Sequence, residues 1–356
     1  MKRRDDFFLP PPQGRGEQSG KSASAILRMK RRAFLTLLGG AAAAWPFASP
    51  VFAETAKPRK IGWLKIQDKN HTPGQLKAFM EGLRALGHVE GRTFLLETRF
   101  ADGDISRLSA LAEDLVRGGV DVILATSQPS IEACRKITQS IPIVGRMIDD
   151  PVYAGMAQSL ARPGGNITGV YSLVEEMSAK RLELLQQAVP GLRRVGVLLT
   201  LGRGTTSYWL AETEKAARQL GLDIHIMNVA SAEDIDRTFA QAAEQGVNGV
   251  IVLRNYTVVT HDRLVIELSN RYRMPGMFDA REFADAGGFM SYGPNLDVIY
   301  RRLASYADKI LKGTKPGELP IEQPTKFELV LNLRTAKALG ISPPALALVS
   351  ADEVIE

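Results

Sequence analysis

A single cysteine, Cys134, and four histidines are all that 356 residues offer of the usual thiol and metal chemistry. One thiol cannot close an intramolecular disulfide. Nor does Cys134 follow an apolar leader directly, which excludes a lipid-modified amino terminus built on it. It falls in a predicted helix and reads as a small packing residue rather than a nucleophile. His71, His88, His225 and His261 are scattered, without the i, i+4 or close spacing of a metal site, so neither metal nor cofactor is expected. Long apolar runs are missing too. The stretch 33–44 is only about twelve residues and contains Gly39 and Gly40, whereas a membrane span needs roughly twenty. No Gly-x-Ser-x-Gly elbow occurs, since Gly288-Phe289-Met290-Ser291-Tyr292-Gly293 has the wrong spacing. Gly202-Arg203-Gly204-Thr205-Thr206-Ser207 follows a predicted strand and opens a helix. Ser207 stands where the third glycine of a dinucleotide fingerprint belongs, however, and no acidic residue ends the next strand. The stretch 14–22 imitates a phosphate loop with its glycines misplaced and no strand before it. Adjacent Asp149 and Asp150, beside Pro151, read as loop formers rather than an acid/base pair. With no catalytic constellation in sight, an enzyme is not expected.

What is present begins with an address. Lys30-Arg31-Arg32-Ala33-Phe34-Leu35-Thr36 has the form of a twin-arginine export signal, and 33–44 serves as its apolar core. Val51-Phe52-Ala53 supplies small residues at −3 and −1, so cleavage is expected after Ala53 and export to the periplasm follows. Residues 1–28 are Pro-, Gly- and Ser-rich and aperiodic, and read as a disordered or over-called extension with Met29 as the initiator. The leader also accounts for the charge. The full chain is +6 with a pI near 9.3, but residues 1–53 hold nine Lys/Arg against three Asp/Glu, leaving 36 of each behind. A neutral mature chain gives no electrostatic footprint for nucleic acid.

Short β-branched runs at 60–66, 93–100, 120–125, 141–147 and 167–171 alternate with helical patterns. Leu76, Phe79, Met80, Leu83 and Leu86 mark one helix face, closed by Gly87. Ile105, Leu108, Leu111, Ala112 and Leu115 mark the next. The pattern restarts with a helix around Leu182, Leu185 and Val189 and strands at 194–200, 222–229, 247–253 and 274–278. Ser231 with Asp234 three residues on predicts a capping box. A helix with Leu296, Ile299, Leu303, Ala307 and Ile310 and a late strand at 327–331 complete the list. This is βαβ alternation in two lobes. The lobes are expected at 58–171 plus 292–320 and at 172–291 plus 321–356, with crossings near Tyr171, 291–294 and 319–326.

Open α/β sheets bind ligands beyond the carboxyl ends of their strands. The polar residues expected there are Gln67, Asp68, Asn70, Thr126, Ser127, Gln128 and Asp149 in the first lobe. The second lobe offers Ser207, Arg254, Asn255, Asp279 and Tyr292. Each is equally a cap or turn former when taken singly, although hydroxyl and N–H groups at the helix start around Ser127 suit a carboxylate. Three segments then carry a resemblance. Leu160-Ala161-Arg162-Pro163-Gly164-Gly165-Asn166-Ile167-Thr168-Gly169, Gly287-Gly288-Phe289-Met290-Ser291-Tyr292-Gly293 and Gln323-Pro324-Thr325-Lys326-Phe327-Glu328-Leu329-Val330-Leu331-Asn332 are similar to those of the ABC-transporter substrate-binding proteins that include tryptophan and tyrosine binders. The resemblance runs from about Arg59 to Glu356. It implies a type I periplasmic-binding-protein fold, two Rossmann-like lobes joined by three hinge crossovers. It also implies a monomer that holds one small organic solute, an amino acid or an aromatic carboxylate, and delivers it to an inner-membrane ABC permease. An exported sensor subunit and a cleft enzyme are the alternatives.

Overall fold

Short apolar strands that alternate with amphipathic helices bury both sheet faces only when the sheet is parallel and covered on each side; this chain does so twice. The computed structural model describes residues 57–68, 73–148, 150–172, 177–201, 206–253 and 256–356, with only the backbone of Pro73, Thr206, Ser207, Tyr208 and Tyr256. The segment expected to be an export leader and the stretch 202–205 lie outside the described residues.

The first sheet comprises β1 (Arg59–Lys65), β2 (Phe94–Phe100), β3 (Val122–Ala125), β4 (Ile143–Met147) and β5 (Ile167–Tyr171), in the order β2-β1-β3-β4-β5, all parallel. The second comprises β6 (Arg194–Leu199), β7 (Asp223–Asn228), β8 (Gly249–Val252), β9 (Gly276–Phe278), β10 (Met290–Pro294), β11 (Phe327–Asn332) and β12 (Glu353–Ile355). Its order is β12-β11-β10-β9-β8-β6-β7, and only β10 and β11 run antiparallel to each other. The helices in chain order are α1 (Pro73–Ala85), α2 (Leu108–Arg117), α3 (Gln128–Ile137), α4 (Met177–Ala188), α5 (Thr206–Leu220), α6 (Ala232–Glu244), α7 (Tyr256–Thr260), α8 (Asp262–Arg271), α9 (Arg281–Asp285), α10 (Leu296–Leu311), α11 (Leu333–Leu339) and α12 (Ala345–Ser350).

Alternation along the strands divides the first lobe into two cores. Leu64, Ile123, Ile143 and Met147 face one way and pack with Leu108, Leu115, Ile131 and Cys134 of α2 and α3. Burial there pushes the Cys134 thiol up to about 12, which removes it from thiolate chemistry. Trp63, Val122, Leu124, Val144 and Val170 face the other way, against Phe79 and Leu83 of α1 and Ile299, Tyr300 and Leu303 of α10. That cluster continues into Phe278, Ala280 and Phe283 of the second lobe. Helix α10 follows β10 in the chain yet packs on the first sheet, so its stripe of Leu296, Ile299, Leu303, Ala307 and Ile310 is buried as the sequence predicts.

The chain passes between the lobes three times. It leaves β5 for α4, which packs on the second sheet. It returns after Pro294, at the end of the stretch 291–294 near which a crossing was expected: Met290–Pro294 is a strand paired antiparallel with β11, and Asn295 then caps α10 through its side chain on the Val298 N–H. The third passage follows residue 322. Glu322 still belongs to β5, donating its N–H to Gly169 O and accepting from the Tyr171 N–H at 2.8 Å. Two details depart from the sequence reading. Leu76 and Leu86 are exposed at the edges of the α1 face, whereas Phe79 and Leu83 are wholly buried. Strand β12, three residues long, gave too short a pattern to be expected.

Candidate functional site

Register places the site. In parallel strands, residues at the same level point to the same face, and neighbouring strands lie about 4.8 Å apart. Leu64 pairs with Ala125, and Ala125 pairs with Gly145. One residue further along each strand, Lys65, Thr126 and Arg146 therefore form a row at the carboxyl ends of β1, β3 and β4, on the face that α1 and α10 cover. All three are nearly buried, at 5, 7 and 5 % exposure.

Trp63 lies beneath this row, two residues before Lys65 and on the same face. Its indole packs 5.6 Å from the Phe79 ring and 5.8 Å from the Tyr300 ring, and its Nε1 donates to Thr126 Oγ1 at 3.4 Å. The Lys65 ammonium sits 4.9 Å from the centre of the Trp63 ring, a cation–π contact that partly replaces lost water. Burial still dominates: it brings the Lys65 pKa from 10.5 down to about 8, although Asp68 pulls the other way. Tyr300 is also fully buried, which raises its pKa, while hydrogen bonds from Arg146 and Thr126 partly offset the shift. Its hydroxyl donates to Gln75 Oε1 at 2.7 Å, and Gln75 Nε2 reaches Glu282 Oε1 of the second lobe at 3.4 Å. The first lobe thus ends in two buried cations and two hydroxyls above an aromatic floor.

The second lobe contributes buried charges of both signs. Asp279, 4 % exposed, ends β9. It is held against β10 so closely that a Cβ at Gly293 would come within 1.8 Å of its carbonyl oxygen. Arg181 of α4 is wholly buried and donates from Nε to Tyr292 O at 2.8 Å, tying α4 to β10. The Tyr292 ring packs 6.1 Å from Phe327, across the return and third passages of the chain.

The residues singled out from sequence divide accordingly. Thr126 directly follows β3 and Asp279 directly follows β9. Gln67 and Asp68 follow β1, half-buried and exposed respectively. Ser127 caps α3: its Oγ accepts the Ser130 N–H at 3.3 Å and pairs with Ser130 Oγ at 2.7 Å. Gln128 Nε2 donates to Glu132 at 3.1 Å, while its Oε1 is buried without a partner among the described residues. Tyr292 points to the hinge. Asn70, Asp149, Arg254, Asn255 and the Ser207 side chain lie outside the described residues. Trp63, Lys65, Gln75, Arg146 and Tyr300 were missed. The signal for two of them was present, since a Lys in Ile61-Gly62-Trp63-Leu64-Lys65-Ile66 and an Arg in Ile143-Val144-Gly145-Arg146-Met147 are charges inside otherwise apolar strands. Among the described residues no group of three His, Cys, Asp or Glu side chains could hold a metal ion. No described helix is long and apolar enough to cross a membrane.

Known proteins match this architecture over most of its length. A tyrosine-binding protein of Clostridioides difficile (strain R20291) is 21% identical over 288 residues, covering 81% of this chain and 83% of the relative. The structure of an ABC domain from Streptococcus pneumonia in complex with L-Trp superposes with a TM-score of 0.76 at 23% identity, covering 84% of this chain and all of that one. A conserved domain protein from Vibrio cholerae O1 biovar El Tor strain N16961 gives the same TM-score at 25% identity and the same coverage. The fold is that of type I periplasmic binding proteins, two α/β lobes with three crossovers. The family model for ABC transporter substrate binding proteins matches residues 68–355, and with the two-lobed architecture and its facing strand ends this places the chain in that family.

Proposed function

We propose that this chain is an exported receptor that holds one small organic solute between its lobes, an amino acid or aromatic carboxylate, and presents it unchanged to an ABC permease. The observation that carries the reading is the row of buried Lys65, Thr126 and Arg146 at the strand ends of one lobe, with buried Asp279 at a strand end of the other. Charged side chains are costly to bury, and a wall of this kind gains most when a polar solute fills it. The names of the relatives point the same way, since one binds tyrosine and another was solved with L-Trp. Closing two lobes on a solute removes it from water and creates a shape distinct from the open form, which a permease can recognise.

The test is a thermal-shift screen of the exported chain against L-tryptophan, L-tyrosine, L-leucine, phenylacetate, glucose and hypoxanthine. A ligand at 100 times its dissociation constant adds about 2.7 kcal/mol to stability, well within detection. Mass spectrometry after prolonged incubation is expected to return the bound compound intact at one per chain. Consumption of the compound would make the protein an enzyme and end this reading.

A further inference from the structure

Strand alternation makes every second side chain on the α1/α10 face of the first sheet apolar: Trp63, Leu124 and Val144 at one level. At the next level the same three strands carry Lys65, Thr126 and Arg146. An apolar residue at 65 or 146 would continue the core without any desolvation cost, so the two charges are features of a site rather than of packing. With strands about 4.8 Å apart, the backbones of Lys65 and Arg146 stand roughly 10 Å from each other with Thr126 between. Both side chains are long enough to reach one small group above that threonine.

We propose that Lys65, Thr126 and Arg146 form a carboxylate clamp, so that the solutes of this chain are organic anions or zwitterions, with the carboxylate on the first lobe and any ammonium group toward Asp279 on the second. Arg146 supplies the planar fork that fits a carboxylate with two parallel hydrogen bonds, Lys65 a point charge, and Thr126 a hydroxyl whose proton turns from Tyr300 to the incoming oxygen. Tyr300 is the positioning residue. Its proton is committed to Gln75 at 2.7 Å, leaving its oxygen to accept from Arg146 and fix the plane of the guanidinium. An incoming anion seated above Thr126 meets the charges of Lys65 and Arg146 together. A neutral polyol would instead leave two buried cations facing hydroxyls.

This inference rests on the solute-receptor reading, and the experiment separates the two. Calorimetry of the exported chain is run with L-tryptophan, L-tyrosine, L-leucine and indole-3-propionate, with the primary amide of each, and with glucose and myo-inositol. At least one acid is expected to bind, and its amide at least about 100-fold more weakly, because the amide lacks the charge that both cations need. Lys65→Met and Arg146→Gln are each expected to weaken the acid about 30-fold or more while changing the amide less than about threefold. Tyr300→Phe keeps the ring and is expected to weaken the acid about threefold to tenfold, with its melting temperature near that of the parent. Equal binding of an acid and its amide by the unaltered chain overturns the clamp, whatever the variants do. So does binding of a polyol in place of every acid, although that result leaves the receptor reading standing. Chemical conversion of a tightly held acid would do the reverse.

Discussion

A lysine buried over an indole ring keeps its proton only weakly, and that sets how this wall responds to pH. Lys65 titrates near 8 in the folded chain against 10.5 for an ordinary lysine, so between those values the unfolded chain binds more protons than the folded one. Its contribution to the stability of the empty protein is therefore most favourable above 10.5 and is lost as pH falls through 8. Below that point the cost is about 3 kcal/mol. A bound carboxylate restores the lysine toward its ordinary value, so solute capture above pH 8 takes up a proton. Among the described residues, the other charged or titratable groups near this wall are Asp68 beyond β1, Arg146 on β4, Tyr300 on α10 and Glu282 on α9, with Asp279 beyond β9 in the second lobe. Affinity for a carboxylate is expected to be flat from about pH 6 to 7.5 and to fall by up to tenfold per unit between about 8.5 and 10. Lys65→Met should abolish that fall. Calorimetry in buffers of different ionisation enthalpy measures the proton uptake directly, and a pH-independent affinity in the parent would remove Lys65 from the site.

Elements, rather than side chains, decide how the two lobes meet. Gly293 lies in β10 just before the chain returns to α10, with β9 so near that a methyl group would overlap the Asp279 carbonyl at 1.8 Å. Gly169 in β5 has φ +141, and a Cβ there would lie 2.0 Å from Gly145 O. Neither backbone can move aside as a side chain would. Gly293→Ala is expected to cost about 2–4 kcal/mol of stability, and to weaken solute binding as well, because β9 carries Asp279. A variant with unchanged melting temperature would show that the strands can separate there. The third passage is held differently. Arg302 of α10 pairs with Glu322 through Nε at 2.6 Å and through a second guanidinium nitrogen, while Glu322 keeps its backbone bonds to β5. The hinge freedom of that passage is thereby confined to the residues between Glu322 and β11. Local chemistry of this kind is often legible in sequence. Asp234 accepts the Ser231 and Ala230 N–H groups, as the capping spacing indicated. The α1 stripe was legible only at its centre, because Leu76 lies in the first turn and Leu86 follows the last helical residue.

For the whole molecule, the export prediction rests on the segment Lys30-Arg31-Arg32-Ala33-Phe34-Leu35-Thr36. Replacing Arg31 and Arg32 by lysine is expected to strand the precursor in the cytoplasm, and intact-mass analysis of the exported protein is expected to begin at Glu54. An exported species that retains both arginines would contradict the cleavage. The sequence by itself determined the α/β class, because strand and helix periods are local and repeat along the chain, and it determined the family resemblance, because three glycine- and proline-marked segments are contiguous. It also placed Thr126 and Asp279 at strand ends, where the structure has them, directly after β3 and β9. It did not bring Lys65 to Arg146. That pairing depends on β1, β3 and β4 being neighbours at one register, and on α10 crossing back from the second lobe to set Tyr300 beside them. Neither is encoded in any local pattern, since a strand's periodicity fixes which residues share a face but not which strand lies next to it; only the folded packing of the lobes decides that.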